Sequence, residues 1–136
     1  MEEVLLDTDM LSEVLKGVDA VVSANARHYL RMQPRFRFSL VTKFQVLRGL
    51  KWKAASVQQV QFEQICRDSI ILQIDDAVIE RAAVLWAQAK TKGKPAEDAD
   101  LLIAATALEN NIALCTGNFD HYKWIPGLQL INWRLP

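Results

Sequence analysis

Asp7, Asp98 and Asp100 are the residues of this 136-residue chain best placed to do chemistry. Asp7 ends the apolar run Val4-Leu5-Leu6, and Asp98 and Asp100 stand directly before a second run, Leu101-Leu102-Ile103-Ala104-Ala105. A carboxylate at the edge of a buried element is costly to desolvate and needs a partner. For several converging carboxylates the simplest partner is a divalent cation, and hard oxygen ligands favour Mg²⁺ or Mn²⁺. Metal-assisted reaction of a phosphate ester is the chemistry such a site would support.

The elements that must bring these side chains together are legible as alternating strands and helices. Val4 to Asp7 reads as a short buried strand, followed by a helix carrying Leu11, Val14 and Leu15 up to Gly17, with Thr8 or Asp9 as its N-cap. A second helix runs from Val18 to Met32, closed by Pro34. Phe36 to Val41 alternates as a strand, and a helix beginning at Thr42 stops at Gly49. Ala54 to Cys66 reads as helix and Ile70 to Ile74 as strand. Asp75 and Asp76 cap a long helix that ends near Gly93 and Pro95, and Ala96 to Glu109 is helical again. Ile112 to Cys115 is a short strand, and Leu128 to Ile131 a last edge strand.

Short, nearly all-apolar strands separated by helices predict one α/β domain over residues 1–136, with three α/β/α layers and a short parallel central sheet flanked by helices. Ligand sites in such sheets gather beyond the carboxyl ends of the strands, where Asp7 and the segment Thr116-Gly117-Asn118 both fall.

Composition sets outer bounds. A content of 51% hydrophobic and 24% charged residues is that of a folded chain, not a disordered one. Sixteen basic and sixteen acidic side chains cancel, so an anionic partner must be held by a local patch or a bound metal. Cys66 and Cys115 read as buried free thiols of a reducing compartment. No apolar stretch is long enough to span a bilayer, and Met1-Glu2-Glu3 is acidic where a secretion signal would be basic, so a cytoplasmic protein is expected. The four tryptophans are not interleaved with basic residues and read as core or interface groups, not base-stacking platforms. The apolar side chains of the first two helices, including Val21 and Leu30, exceed what one sheet face requires and read as a partner surface.

Taken in order, five motifs resemble the PIN-domain ribonucleases, in particular VapC-type toxins of bacterial toxin–antitoxin pairs: Leu6-Asp7-Thr8-Asp9 with Leu11-Ser12-Glu13; Ser39-Leu40-Val41-Thr42 leading to Leu47-Arg48-Gly49; Asp98-Ala99-Asp100 with the apolar run behind it; Leu114-Cys115-Thr116-Gly117-Asn118; and Ile125-Pro126-Gly127-Leu128 before Trp133. The resemblance covers nearly the whole chain and implies a PIN-like fold. It implies an endoribonuclease using Mg²⁺ or Mn²⁺, with Asp7 and Asp100 as metal ligands, Asp98 adding negative potential and Asn118 contacting the metal through water. A metal-activated water would leave a 5′-phosphate and a 3′-hydroxyl. Thr8, Lys43, Arg48 and Thr116 are the candidate RNA contacts. A homodimer and a VapB-like antitoxin are the implied partners.

Two departures are visible. The pattern places Glu three residues after Thr42, where this chain has the neutral Gln45, and an acidic residue five after Thr116, where it has His121 beside Asp120. Gln45 predicts attenuated activity, or a degenerate domain that binds antitoxin or RNA without cleaving. Capping competes with function at Thr8, Asp9 and Asp98, and the roles of Asp120 and His121 stay open. Leu6-Asp7-Thr8-Asp9 also resembles the opening of the haloacid-dehalogenase-like phosphatases, though neither their later Lys nor a cap insertion is evident.

Overall fold

Short apolar runs such as Val4–Leu6 and Ile70–Leu72 make strands, and apolar residues recurring every three or four positions make the inner faces of the helices. The computed structural model describes residues 2–136, so that Met1 of the acidic N-terminus lies outside them. Its elements are β1 (Val4–Leu6), α1 (Thr8–Lys16), α2 (Ala20–Met32), β2 (Arg37–Ser39), α3 (Leu40–Trp52), α4 (Ser56–Asp68), β3 (Ile70–Leu72), α5 (Asp76–Lys92), α6 (Asp98–Glu109), β4 (Ala113–Cys115), α7 (Phe119–Tyr122) and β5 (Leu130–Ile131).

All strand pairs are parallel. β4 sits between β1 and β5, with Leu5 opposite Leu114 and Leu6 opposite Cys115, and β2 pairs separately with β3. The expected continuous sheet is therefore two ladders. β1 and β2 pack side by side without a ladder between them, and the Val4 N–H donates instead to the Tyr29 hydroxyl of α2 at 3.2 Å.

Strand alternation divides the interior in two. Val4, Leu6 and Cys115 face a core with Met10, Leu11, Val22, Tyr29, Phe38 and Phe62. Leu5 and Leu114 face the opposite core, with Val78, Leu85, Leu101, Ile103 and Tyr122. Each fully buried aliphatic side chain contributes about 2 kcal/mol of apolar transfer. Burial on both faces is why these strands carry no polar alternation, and it gives the helix–sheet–helix layering.

Several boundaries differ from the sequence reading, each for a local reason. Asp7, not Thr8 or Asp9, caps α1: its backbone is extended and its Oδ1 accepts the Met10 N–H at 2.8 Å. Ser39 caps α3 by accepting from Thr42 N, so that helix starts at Leu40, two residues before the point expected from Thr42, and β2 is correspondingly short. Nor does α3 stop at Gly49, because Leu50 is drawn into the core one turn after Val46. Asp98 does not cap α6; Glu97 holds the cap position without a side-chain bond.

Burial also corrects some expectations. Leu11, Val22 and Tyr29 are core, and Val14 and Leu15 pack against it, so most of the supposed apolar excess of α1 and α2 is internal. Exposed apolar side chains lie instead on α3 and α4 at Phe44, Trp52, Val57 and Val60, as well as at Leu30 and Met32. Trp133 is core, whereas Trp52 is 88% exposed. Cys115 is buried and Cys66 half-buried, both as free thiols. Among the described residues no helix is long and apolar enough to cross a membrane.

Candidate active site

Asp7 sits at the turn from β1 into α1, and its carboxylate is all but fully buried. The Thr116 hydroxyl, at the matching end of β4, donates to Asp7 Oδ2 at 2.6 Å while Met10 N donates to Oδ1. Thr116 Oγ1 in turn accepts the Asn118 N–H at 2.9 Å. Two ends of neighbouring parallel strands thus converge on one carboxyl group, where the fold leaves a crevice.

That crevice is a hollow of about 250 Å³ lined by the acidic residues Asp7, Asp9, Glu97 and Asp100, with Gln45, Arg48, Asn118, His121 and Tyr122 also on its walls. Burial pushes the Asp7 carboxyl up to about 6, and the charges of Asp9 and Asp100 push in the same direction, against the hydrogen bonds from Thr116 and Met10. Asp100 is held by the Tyr122 hydroxyl, which donates to Oδ1 at 3.1 Å, and by His121 Nδ1, 3.3 Å from Oδ2. Burial and then the Asp100 charge raise the Tyr122 phenol beyond its ordinary range, so it remains a protonated donor. Asn118 Nδ2 donates to Asp9 at 2.7 Å.

Gln45 is engaged through its amide oxygen, which accepts from the Thr8 hydroxyl at 2.5 Å. Thr8 Oγ1 also lies 3.1 Å from Thr42 Oγ1. A hydroxyl has one hydrogen, so with that hydrogen on Gln45, Thr8 accepts from Thr42.

Asp7, Thr8, Gln45, Arg48, Asp100 and Asn118 therefore meet in one place, and Thr116 supports them from behind. Asp98 and Lys43 do not join them. Asp98 lies two residues from Asp100 on a helix, and residues so spaced do not share a face. Lys43 stands in the same relation to Gln45, and its charge acts on the Cys66 thiol. Glu97 and Tyr122 were missed by the sequence reading. Glu97 had a usable signal, since it precedes Asp100 by three and so shares its face; Tyr122 had none, being placed by a single-turn helix with no apolar period. Asp120 is exposed and paired with Lys123 at 2.9 Å, outside the hollow.

The donor set suits a hard divalent ion. Among the described residues no three His, Cys, Asp or Glu side chains cluster tightly enough to form an all-protein cage. Mg²⁺ needs only one or two carboxylates, with water and substrate oxygens completing its octahedron. The unbalanced negative charge that acts on Asp7 is the condition a cation would relieve.

Comparison with known proteins gives the arrangement a context. No family model matches the chain. Ribonuclease VapC1 of Methanocaldococcus jannaschii is 31% identical over 86 residues, a match spanning 62% of this chain and 60% of that protein's length. The crystal structure of FitAcB from Neisseria gonorrhoeae superposes with a TM-score of 0.83 at 26% identity, covering 98% of this chain and 99% of that one. VapBC2 from Rickettsia felis, bound to a promoter DNA fragment, superposes with a TM-score of 0.85 at 22% identity over 95% of this chain and 97% of that chain. The chain is thus similar in sequence to a VapC ribonuclease over about three-fifths of its length, and its fold is that of the FitAcB and VapBC2 structures. It has the short parallel strands flanked by helices expected from its sequence, with the break between ladders described above.

The hydroxyl of Tyr122 provides a test of how this hollow is held. Tyr122→Phe removes the donor to Asp100 without changing shape, and one hydrogen bond to a charged group contributes about 1.5–3 kcal/mol. Mn²⁺ affinity measured by calorimetry is expected to fall roughly tenfold; an unchanged affinity would mean that Asp100 needs no orienting contact.

Proposed function

We propose that this chain is a divalent-ion-dependent endoribonuclease, the toxin of a toxin–antitoxin pair, attenuated by Gln45. The observation that carries this reading is that Asp7 and Asp100, from distant parts of the chain, line one hollow at the ends of β1 and β4 and act on each other electrostatically. Asp7 and Asp100 would hold Mg²⁺ or Mn²⁺. A bound ion would supply Lewis-acid polarisation of the scissile phosphate and lower the pKa of a water.

The remaining chemistry belongs to the chain. Thr116 and the Met10 N–H fix the Asp7 carboxylate, Tyr122 fixes Asp100, and Asn118 fixes Asp9. Arg48, exposed on the rim and 5.4 Å from the Phe44 ring centroid, is placed to take a phosphate oxygen with its guanidinium fork. Gln45 occupies the wall without adding charge, and His121 stands at the other departure, so the hollow carries two acidic residues fewer than the family pattern implies.

Metal-titrated cleavage of RNA tests the proposal. Gln45→Glu is expected to tighten Mn²⁺ and raise the cleavage rate by about tenfold or more. Asp100→Asn should lose both. A slower Gln45→Glu would make the amide the working group. No cleavage by either the native chain or Gln45→Glu, with ion binding intact, would leave a binding module in place of an enzyme.

The partners follow from the same family reading. A VapB-like antitoxin is proposed because the Rickettsia felis neighbour is a VapBC assembly. Self-association is proposed through α5, where Ile79, Val84 and Trp86 are exposed.

A further inference from the structure

Gly49 has no structural reason to be a glycine. It lies inside α3, three residues before its end, in ordinary helical backbone, where alanine is the better helix former. A Cβ built there meets nothing within 4 Å, so neither close packing nor backbone strain excludes a side chain. What a side chain would fill is open space: a second hollow of about 180 Å³ between α1 and α3, walled by Ser12, Leu15 and Lys16 on one side and by Gly49, Leu50 and Lys53 on the other.

This groove is continuous with the catalytic hollow, because Gln45, one turn before Gly49, lines both. Its charge is the reverse of its neighbour's. Lys16 and Lys53 are exposed and without ion-pair partners among the described residues, and no acidic side chain lines the groove.

We propose that the Lys16–Gly49–Lys53 groove binds the single-stranded RNA backbone next to the scissile phosphate, and that Gly49 is bare so that the strand can lie there. The inference rests on the nuclease reading of the adjoining hollow and names where its substrate runs. A polyanion crossing from two free lysines into an ion-binding carboxylate site is matched at both ends. An acidic peptide would be matched by the groove alone, since it brings no phosphate ester to an ion held by Asp7 and Asp100 beyond Gln45.

The test uses the full chain and a fluorescently labelled single-stranded RNA, with binding followed by anisotropy in Ca²⁺ so that the reading does not depend on turnover. Lys16→Ala with Lys53→Ala, and separately Gly49→Glu, are expected to weaken RNA binding at least tenfold, while the Mn²⁺-induced rise in melting temperature stays as in the native chain. Each single-strand phosphate contact contributes about 0.7 to the slope of log affinity against log salt, so the lysine pair should flatten that slope by about 1.4. If Gly49→Glu does not fold, the lysine pair decides, since both positions are exposed. RNA affinity and salt slope unchanged in the lysine variant would overturn the proposal. So would poly-glutamate binding the native chain more tightly than RNA and being lost in the same variants, which would make the groove a peptide site. Groove-dependent RNA binding without cleavage by the native chain or Gln45→Glu would uphold the groove while removing the nuclease reading.

Discussion

Without divalent ion, Asp7→Asn is expected to be more stable than the native chain at pH 7.5, and to gain nothing when Mn²⁺ is added. Burial pushes the Asp7 carboxyl up to about 6 in the folded protein, from an ordinary value of 3.8. Its folded form therefore holds the proton more tightly, and the resulting stability is fully present below pH 3.8 and lost as pH rises through 6. With about 1.4 kcal/mol per pKa unit, ionising this buried group destabilises the apo protein by on the order of 2–3 kcal/mol above pH 7. Asn removes the charge and keeps the helix cap, because its side-chain oxygen can still accept the Met10 N–H. The gap in melting temperature between variant and native chain should be several degrees at pH 7.5 and close by pH 4. A variant less stable than the native chain at pH 7.5 would show that Asp7 is structurally satisfied as an anion, and the case for a cation beside it would fall.

Thr116→Val should act in the opposite direction with similar size. The substitution keeps shape but removes the hydroxyl that donates to Asp7 and accepts from Asn118 N. Losing a hydrogen bond to a charged acceptor and leaving a partly buried N–H unpaired costs about 3 kcal/mol. In an Asp7→Asn background the cost should shrink by about 1 kcal/mol, since with the amide oxygen on Met10 N the group facing Thr116 is a neutral NH2 donor in place of a charged acceptor, and this non-additivity is measurable in a thermal-unfolding double-mutant cycle. A loss below about 1 kcal/mol in the native background would mean that water replaces the hydroxyl.

Much of the site was legible in the sequence because its residues sit where local rules are strict. Asp7 ends an apolar run, and Asp100 lies in the first turn of a helix whose next turn is wholly apolar, so both had to face the edge of a buried element. Less legible were features set by tertiary packing. Leu50 pulls α3 past the glycine that marked its end, and Ser39 starts the same helix early because its hydroxyl reaches Thr42 N. The sequence reading placed Asp98 in the site by adjacency, where helical geometry favours Glu97. The division into two ladders had no sequence signal, since a Tyr29 hydroxyl twenty-five residues away takes the Val4 N–H.

That division runs through the hollow that Asp7 and Asp100 line. Asp7 and Asn118 hang from the β1–β4–β5 ladder, whereas Gln45 and Arg48 ride on the helix that continues β2. The seam is crossed by the packing of β1 on β2 and by side-chain hydrogen bonds from Thr8 to Gln45 and between Thr8 and Thr42, with no backbone rung to break. A slip along it would widen or narrow the cleft without breaking a ladder, so side-chain contacts alone set the width of the site.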